Sequence, residues 1–267
     1  MISLDRRGTG SPIVLVHGIG SRWQVFEPIL DQLAEHHEVI AIDLPGFGAS
    51  SPVDGVRPGP RGYAEWLAGW LTDNGIERPH LVGSSMGGGV ALELGRSGVA
   101  ASVTAFSPVG FYGRPGLRWV QGVVTGLRGA ASVAGPVIDR ALDHRAGRLA
   151  LLGVMFGHPG RVPADEARAD LAGLVGASAF AAARHDFGAY VLSPDDDPGA
   201  LAHIPVTVAW GTRDVVLTHR TQSARARAVL PFARHVDLPG CGHLPFNDDP
   251  DLCARTVLAT TATKEHR

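Results

Sequence analysis

Three side chains far apart in the sequence could together perform acyl chemistry: a serine between glycines, an aspartate after an apolar run, and a histidine near the end. Gly83-Ser84-Ser85-Met86-Gly87 sets Ser85 between glycines two positions away on each side, after the short apolar run 80–82 and before a helix-like segment. A serine hydroxyl is a weak nucleophile, useful only where a sharp turn exposes it to a base. Small neighbours let such a turn pass close to adjacent backbone, so Gly83 and Gly87 are expected to be mechanical requirements of the bend. A strand-turn-helix serine of this kind calls for an acid and then a histidine further along the chain. His243, in Gly240-Cys-Gly-His-Leu-Pro245, follows the run 234–238, where a loop can carry it toward the serine. His235 lies inside that run and His219 precedes it at the start of a helix, so both fit less well. Asp214, in Gly211-Thr-Arg-Asp214, directly follows the run 206–210 and is the better-placed acid to hold the imidazole tautomer; Asp237, within the last strand, is the alternative. Acyl transfer builds negative charge on an oxygen, which backbone donors must meet. The expected donors are the N–H of Met86, next to the serine, and that of Ile19 in the loop His17-Gly-Ile-Gly20. His17 and Asp43, each at the end of an apolar run, are expected to be structural, the one hydrogen-bonded in place and the other organising a Pro-Gly turn.

The elements that must position these residues are legible as alternating runs. Residues 13–16, 39–42, 80–82, 102–106, 206–210 and 234–238 read as strands, with helical spacing at Trp23, Phe26, Ile29, Leu30 and Leu33 and over 63–71, 87–95 and 250–261. Such alternation implies parallel strands with crossover helices on both faces. Between Tyr112 and about residue 198 there is no clear β-run, only Ala/Gly-rich sequence with apolar residues at helical spacings. The expected organisation is a core over 1–110, a helical cap over 111–199 and the rest of the core over 200–267, with 264–267 frayed.

Composition narrows the partners. The 267 residues are 45% hydrophobic and 19% charged, with a net charge of -2, so no broad basic field is present to attract nucleic acid or an anionic bilayer. Two cysteines, Cys241 and Cys253, are too few for a disulfide framework, and no apolar segment of secretory length opens the chain. A cytoplasmic protein without a membrane span is expected. The triplet Asp195-Asp196-Asp197 between prolines reads as a solvated loop, so neither a metal nor a cofactor is expected.

His17-Gly18, Asp43-Leu-Pro-Gly-Phe-Gly-Ala-Ser50, Gly83-Ser-Ser-Met-Gly-Gly88, Gly211-Thr-Arg-Asp214 and Gly240-Cys-Gly-His243 occur in the order seen in the α/β-hydrolase superfamily, which this chain resembles from about residue 13 to about 250. The resemblance implies an eight-stranded, mostly parallel sheet flanked by helices, a cap inserted after the sixth strand, and a Ser85, Asp214, His243 triad. Epoxide hydrolases and haloalkane dehalogenases of that superfamily carry Asp where Ser85 stands, which argues against both. The loop His17-Gly-Ile-Gly-Ser-Arg22 lacks the proline typical of the meta-cleavage-product hydrolases.

Trp23, Trp119, Met155, Phe156, Phe187, Leu244 and Phe246 are the expected lining of an apolar substrate pocket, with Phe180 and Tyr190 as further candidates, because they belong to the cap or to loops facing it. Arg114, Arg118 and Arg128 could receive a carboxylate, but solvated surface positions suit them better. The expected activity is hydrolysis of a small or medium, largely apolar carboxylic ester, thioester or lactone through an acyl-enzyme on Ser85. The alternatives are a cofactor-free haloperoxidase, perhydrolase or acyltransferase on the same triad, or a ligand-binding relative with little turnover. A monomer or homodimer acting on a small molecule is expected.

Overall fold

A computed structural model describes residues 1–263, so the frayed end expected at 264–267 lies outside the described residues. Seven strands form one sheet: β1 (Leu4–Arg7), β2 (Pro12–Val16), β3 (Glu38–Ile42), β4 (His80–Ser84), β5 (Ser102–Phe106), β6 (Val206–Gly211) and β7 (Arg234–Leu238). Their spatial order is β1-β3-β2-β4-β5-β6-β7, with β1 antiparallel to β3 and every other pair parallel.

The inner strands are continuous apolar runs because both faces are covered. Side chains alternate across the sheet. Val14, Val16, Ile40 and Ile42 join the core on one face, and Ile13, Leu15, Val39 and Ala41 join the other. Helices α1 (Glu27–Ala34) and α9 (Pro250–Thr261) bury Ile29, Leu30, Leu33, Cys253 and Val257 against the second face. Helices α2 (Pro60–Asp73), α3 (Met86–Arg96) and α8 (Ala224–Val229) cover the first.

Between β5 and β6 lie four further helices: α4 (Arg114–Leu142), α5 (Arg145–Leu152), α6 (Ala164–Gly176) and α7 (Phe180–Asp186). The long α4 bends at Ala134, whose backbone leaves the helical region just before Pro136, as a proline that cannot donate to the ladder requires. Ile138, Leu142, Leu152, Phe156, Val162 and Ala167 give this insertion a small core of its own.

Two expectations are corrected. Among the described residues the sheet has seven strands rather than eight, and the insertion follows the fifth strand rather than the sixth. Ahead of Pro12 the chain turns at positive-φ Gly8 and Gly10 and forms one short strand, β1. That strand, Leu4-Asp-Arg-Arg7, escapes an apolar-run criterion because it sits at the sheet edge with no buried residue.

Candidate active site

The order of strands reverses around β2, which lies between β3 and β4. In open α/β sheets the crevice outside the carboxyl ends of strands at such a reversal is where ligands bind. The two loops leaving that point are 17–22, after β2, and the Ser85 turn, after β4. They touch: a Cβ placed on Gly18 would stand 3.0 Å from the Ser85 Cβ and 3.5 Å from its Oγ.

Ser85 adopts φ 55° and ψ -114°, a conformation that side chains with a Cβ rarely take. Such strain costs on the order of 1–3 kcal/mol and persists only where surroundings overdetermine it. Here the Ser85 N–H donates to the Phe106 carbonyl (2.9 Å), and its own carbonyl accepts from Gly89 (3.2 Å) and Val109 (3.1 Å). A Cβ on Gly83 would overlap the Gly87 carbonyl oxygen, and one on Gly87 would overlap the backbone oxygens of Val16 and His17. The flanking glycines are therefore fixed by backbone packing, as the sequence argument required.

His243 and Asp214 meet at the far side of the same edge. The His243 Nδ1 lies 2.9 Å from the Asp214 Oδ2, with both residues 3% exposed. The other carboxylate oxygen, Oδ1, accepts the N–H groups of Val216 and Leu217, each at 2.9 Å. With the carboxylate so held, Nδ1 is the protonated nitrogen and Nε2 is left as the basic one. Asp237, the alternative acid, instead holds His219 (3.0 Å) and Arg227 (2.9 Å) at the sheet edge, so neither it nor His219 belongs to this cluster. His235 bonds the Leu230 carbonyl.

The profile of the Alpha/beta hydrolase family matches residues 13–256. The chain belongs to that family. An uncharacterized protein of Mycobacterium tuberculosis is 28% identical to this α/β-hydrolase over 268 residues, covering 91% of this chain and 73% of that protein. A pimeloyl-[acyl-carrier protein] methyl ester esterase of Aeromonas salmonicida is 40% identical over 93 residues, 35% of each chain. Among solved structures, a thermophilic esterase from Thermogutta terrifontis superposes with a TM-score of 0.72 at 23% identity, covering 98% of this chain and 94% of its own.

The remaining polar residues of this α/β-hydrolase's loops organise backbone. The buried His17 accepts the Leu44 N–H at Nε2 (3.0 Å), so its Nδ1–H donates to the Gly18 carbonyl (2.7 Å); burial lowers its pKa and keeps it neutral. Asp43 accepts from Trp23 (2.7 Å) and Ala49 (2.8 Å). Burial pushes the Cys241 thiol up to about 12, so it remains a thiol. The carboxylates of Asp196 and Asp197 accept N–H groups of their own loop.

Sequence reasoning missed Asp248. It is buried, and its Oδ2 accepts from Gly157 (2.7 Å) and Gly242 (2.8 Å) while its Oδ1 accepts from His158 (2.6 Å). One carboxylate thus fastens the insertion, after α5, to the loop that presents His243. The available signal was two adjacent acids before Pro250, where Asp249 alone caps α9 through the Leu252 N–H (3.0 Å).

An apolar cavity of about 100 Å³ lies beside the crevice. Ile19 and Gly20 of the first loop, Leu244 next to His243, and Met155 and Phe156 of the insertion form part of its wall. Of the seven expected lining residues, Met155, Phe156 and Leu244 are there and four are not. Phe246 is buried between Phe26 (4.9 Å between ring centroids) and Phe106 (5.0 Å), and Trp23 packs on that same core. Phe187 is buried against Tyr112, whose hydroxyl donates to the Phe187 carbonyl. Trp119 is 51% exposed and donates its indole N–H to the Val215 carbonyl at 2.7 Å. Phe180 and Tyr190 likewise belong to the core. Apart from the exposed Trp119, these aromatics answer to packing against the core. Val124, Leu127, Leu151, Leu171 and Leu174, aliphatic residues of α4, α5 and α6, line the cavity with them.

Proposed function

We propose that this α/β-hydrolase is a serine hydrolase that cleaves a small or medium carboxylic ester, thioester or lactone through an acyl-enzyme on Ser85. The observation that carries this reading is the buried 2.9 Å contact between His243 and Asp214 at the same sheet edge as a serine held at positive φ. Ser85 Oγ attacks the carbonyl carbon while His243 Nε2 takes its proton, and Asp214 stabilises the imidazolium that forms. The carbonyl oxygen, now negative, is met by the N–H of Met86, which opens α3 and so has no intrahelical acceptor, and by that of Ile19. Collapse of the adduct expels the alcohol or thiol, which receives the proton from His243. Water, deprotonated by the same nitrogen, then releases the acid and restores Ser85.

The apolar wall of the cavity favours an uncharged acyl or alcohol group over a cationic one. The chemistry needs no metal or cofactor, and a compartment without disulfide exchange suits the two buried thiols. The test is intact-mass detection of a single fluorophosphonate adduct mapped to Ser85, together with hydrolysis of a chromogenic ester series. Ser85→Ala is expected to lose both adduct and turnover. Equal hydrolysis by wild type and Ser85→Ala would overturn the proposal.

A further inference from the structure

Among the described residues that line the apolar cavity, Asp170 is the one charged side chain. It stands on α6 and accepts the Arg22 Nε–H at 2.9 Å, and Arg22 belongs to the same loop as Ile19. That loop and α6 are in tight contact, since a Cβ on Gly20, at φ 70°, would overlap the side chain of Leu174. A second carboxylate on α6, Glu166, accepts from Asn247 (3.1 Å) on the loop beyond His243. Burial raises the pKa of both acids, and each feels the same guanidinium of Arg22. Asp170 therefore brings the negative charge to the cavity wall, while Arg22 and Glu166 stand outside the lining. Arg22 is already occupied, and a further anion entering the cavity would meet a carboxylate with no free counter-charge.

We infer that Asp170 sets the charge of the acyl groups this site accepts: neutral aliphatic chains enter the cavity, and chains ending in a second carboxylate are turned away. Arg22 stands outside the cavity lining, paired with Asp170, and is the cation such a chain could recruit once the Asp170 charge is gone. An isolated anion buried in an apolar site is strongly disfavoured, whereas a guanidinium pairs with a carboxylate through directed hydrogen bonds. Removing the Asp170 charge frees Arg22 for a ligand without changing the side-chain volume. This inference rests on the serine hydrolase reading above.

The experiment compares p-nitrophenyl hexanoate with the mono-p-nitrophenyl ester of adipic acid, two six-carbon acyl groups that differ in a terminal methyl or carboxylate. In the wild type kcat/KM is expected to favour hexanoate by about 50-fold or more. Asp170→Asn is expected to raise the adipate value about tenfold or more while the hexanoate value moves less than about threefold. Asp170→Glu should keep the wild-type preference, and Asp170→Asn combined with Arg22→Met should lose the gain. A preference unchanged in Asp170→Asn, an equal fall on both esters, or a wild type that takes both esters alike would overturn the inference. So would a protein that is labelled at Ser85 by a fluorophosphonate yet hydrolyses neither ester. Absence of labelling at Ser85 would remove the serine hydrolase reading and this inference with it.

Discussion

Asp248→Asn is the sharpest test of how the histidine loop is held. The carboxylate serves three N–H groups, two on Oδ2 and one on Oδ1, that of Gly242 buried and those of Gly157 and His158 half-buried. The amide can keep its oxygen toward Gly157 and Gly242, but its NH₂ then faces the His158 N–H, donor against donor. A hydrogen bond to a charged group contributes about 1.5–3 kcal/mol, and a stranded buried donor costs a similar amount. One bond lost and two weakened from charged to neutral acceptors gives a destabilisation of about 3 kcal/mol. For a chain of this size that lowers the melting temperature by about 6–12 °C. Because Gly242 precedes His243, displacement of the loop should also lower kcat by about 10- to 100-fold. Urea unfolding followed by tryptophan fluorescence reads the first effect, and ester hydrolysis well below the melting temperature reads the second. Asp249→Asn is the control, since asparagine caps α9 as well as aspartate and should cost less than about 0.5 kcal/mol. An Asp248→Asn protein within about 0.5 kcal/mol of wild type would refute the assignment of these hydrogen bonds as the fastening.

Asp214→Asn should leave the fold intact, because its oxygen can still accept from Val216 and Leu217, but its NH₂ would face His243 Nδ1 and force the opposite tautomer; kcat is expected to fall by about 10³- to 10⁴-fold in steady-state ester hydrolysis. Gly87→Ala drives a methyl into the backbone of β2 and should destabilise by about 3 kcal/mol or more in denaturant titration. Burial lowers the pKa of His80 to about 4 and also lowers that of His17 below the usual 6.5. The unfolded chain then binds more protons than the fold, so stability should decline as pH falls from about 6.5 toward 4, and His80→Gln should flatten that decline in pH-dependent melting. Asp170, raised to about 6 chiefly by burial, works in the opposite sense: the folded state binds the extra proton, which favours folding as pH drops from 6 toward 3.8, so Asp170→Asn should steepen the acid loss.

The Ser85 turn, Asp214 and His243 were legible because each depends on a short local pattern, a strand end followed by glycines, that sequence displays directly. The five inner strands were legible for a related reason, since burial on both faces writes an unbroken apolar run. What stayed hidden depends on neighbours remote in sequence. β1 is polar and earns its place only by pairing with β3. Phe246 and Phe187 have the composition of pocket residues, but each ring packs on remote partners, Phe26 and Phe106 for the first and Tyr112 for the second. Asp170 and Asp248 resemble any helix-surface or capping acid until α6 meets the loop of Arg22 and the segment after α5 meets Asp248. A strand count taken from the family pattern rather than from this chain's own runs gave both errors of topology, the number of strands and the place of the insertion.

The insertion is pinned at separated places around the carboxyl edge of the sheet, among them Trp119 to the Val215 carbonyl, Asp170 to Arg22, and Gly157 with His158 to Asp248. Anchors on three sides leave no axis for a wholesale swing. On the serine hydrolase reading, traffic to the site would pass by side chains parting locally, so escape of the released acid is expected to be able to limit throughput, with bulk of the departing molecule, more than its reactivity, setting the pace.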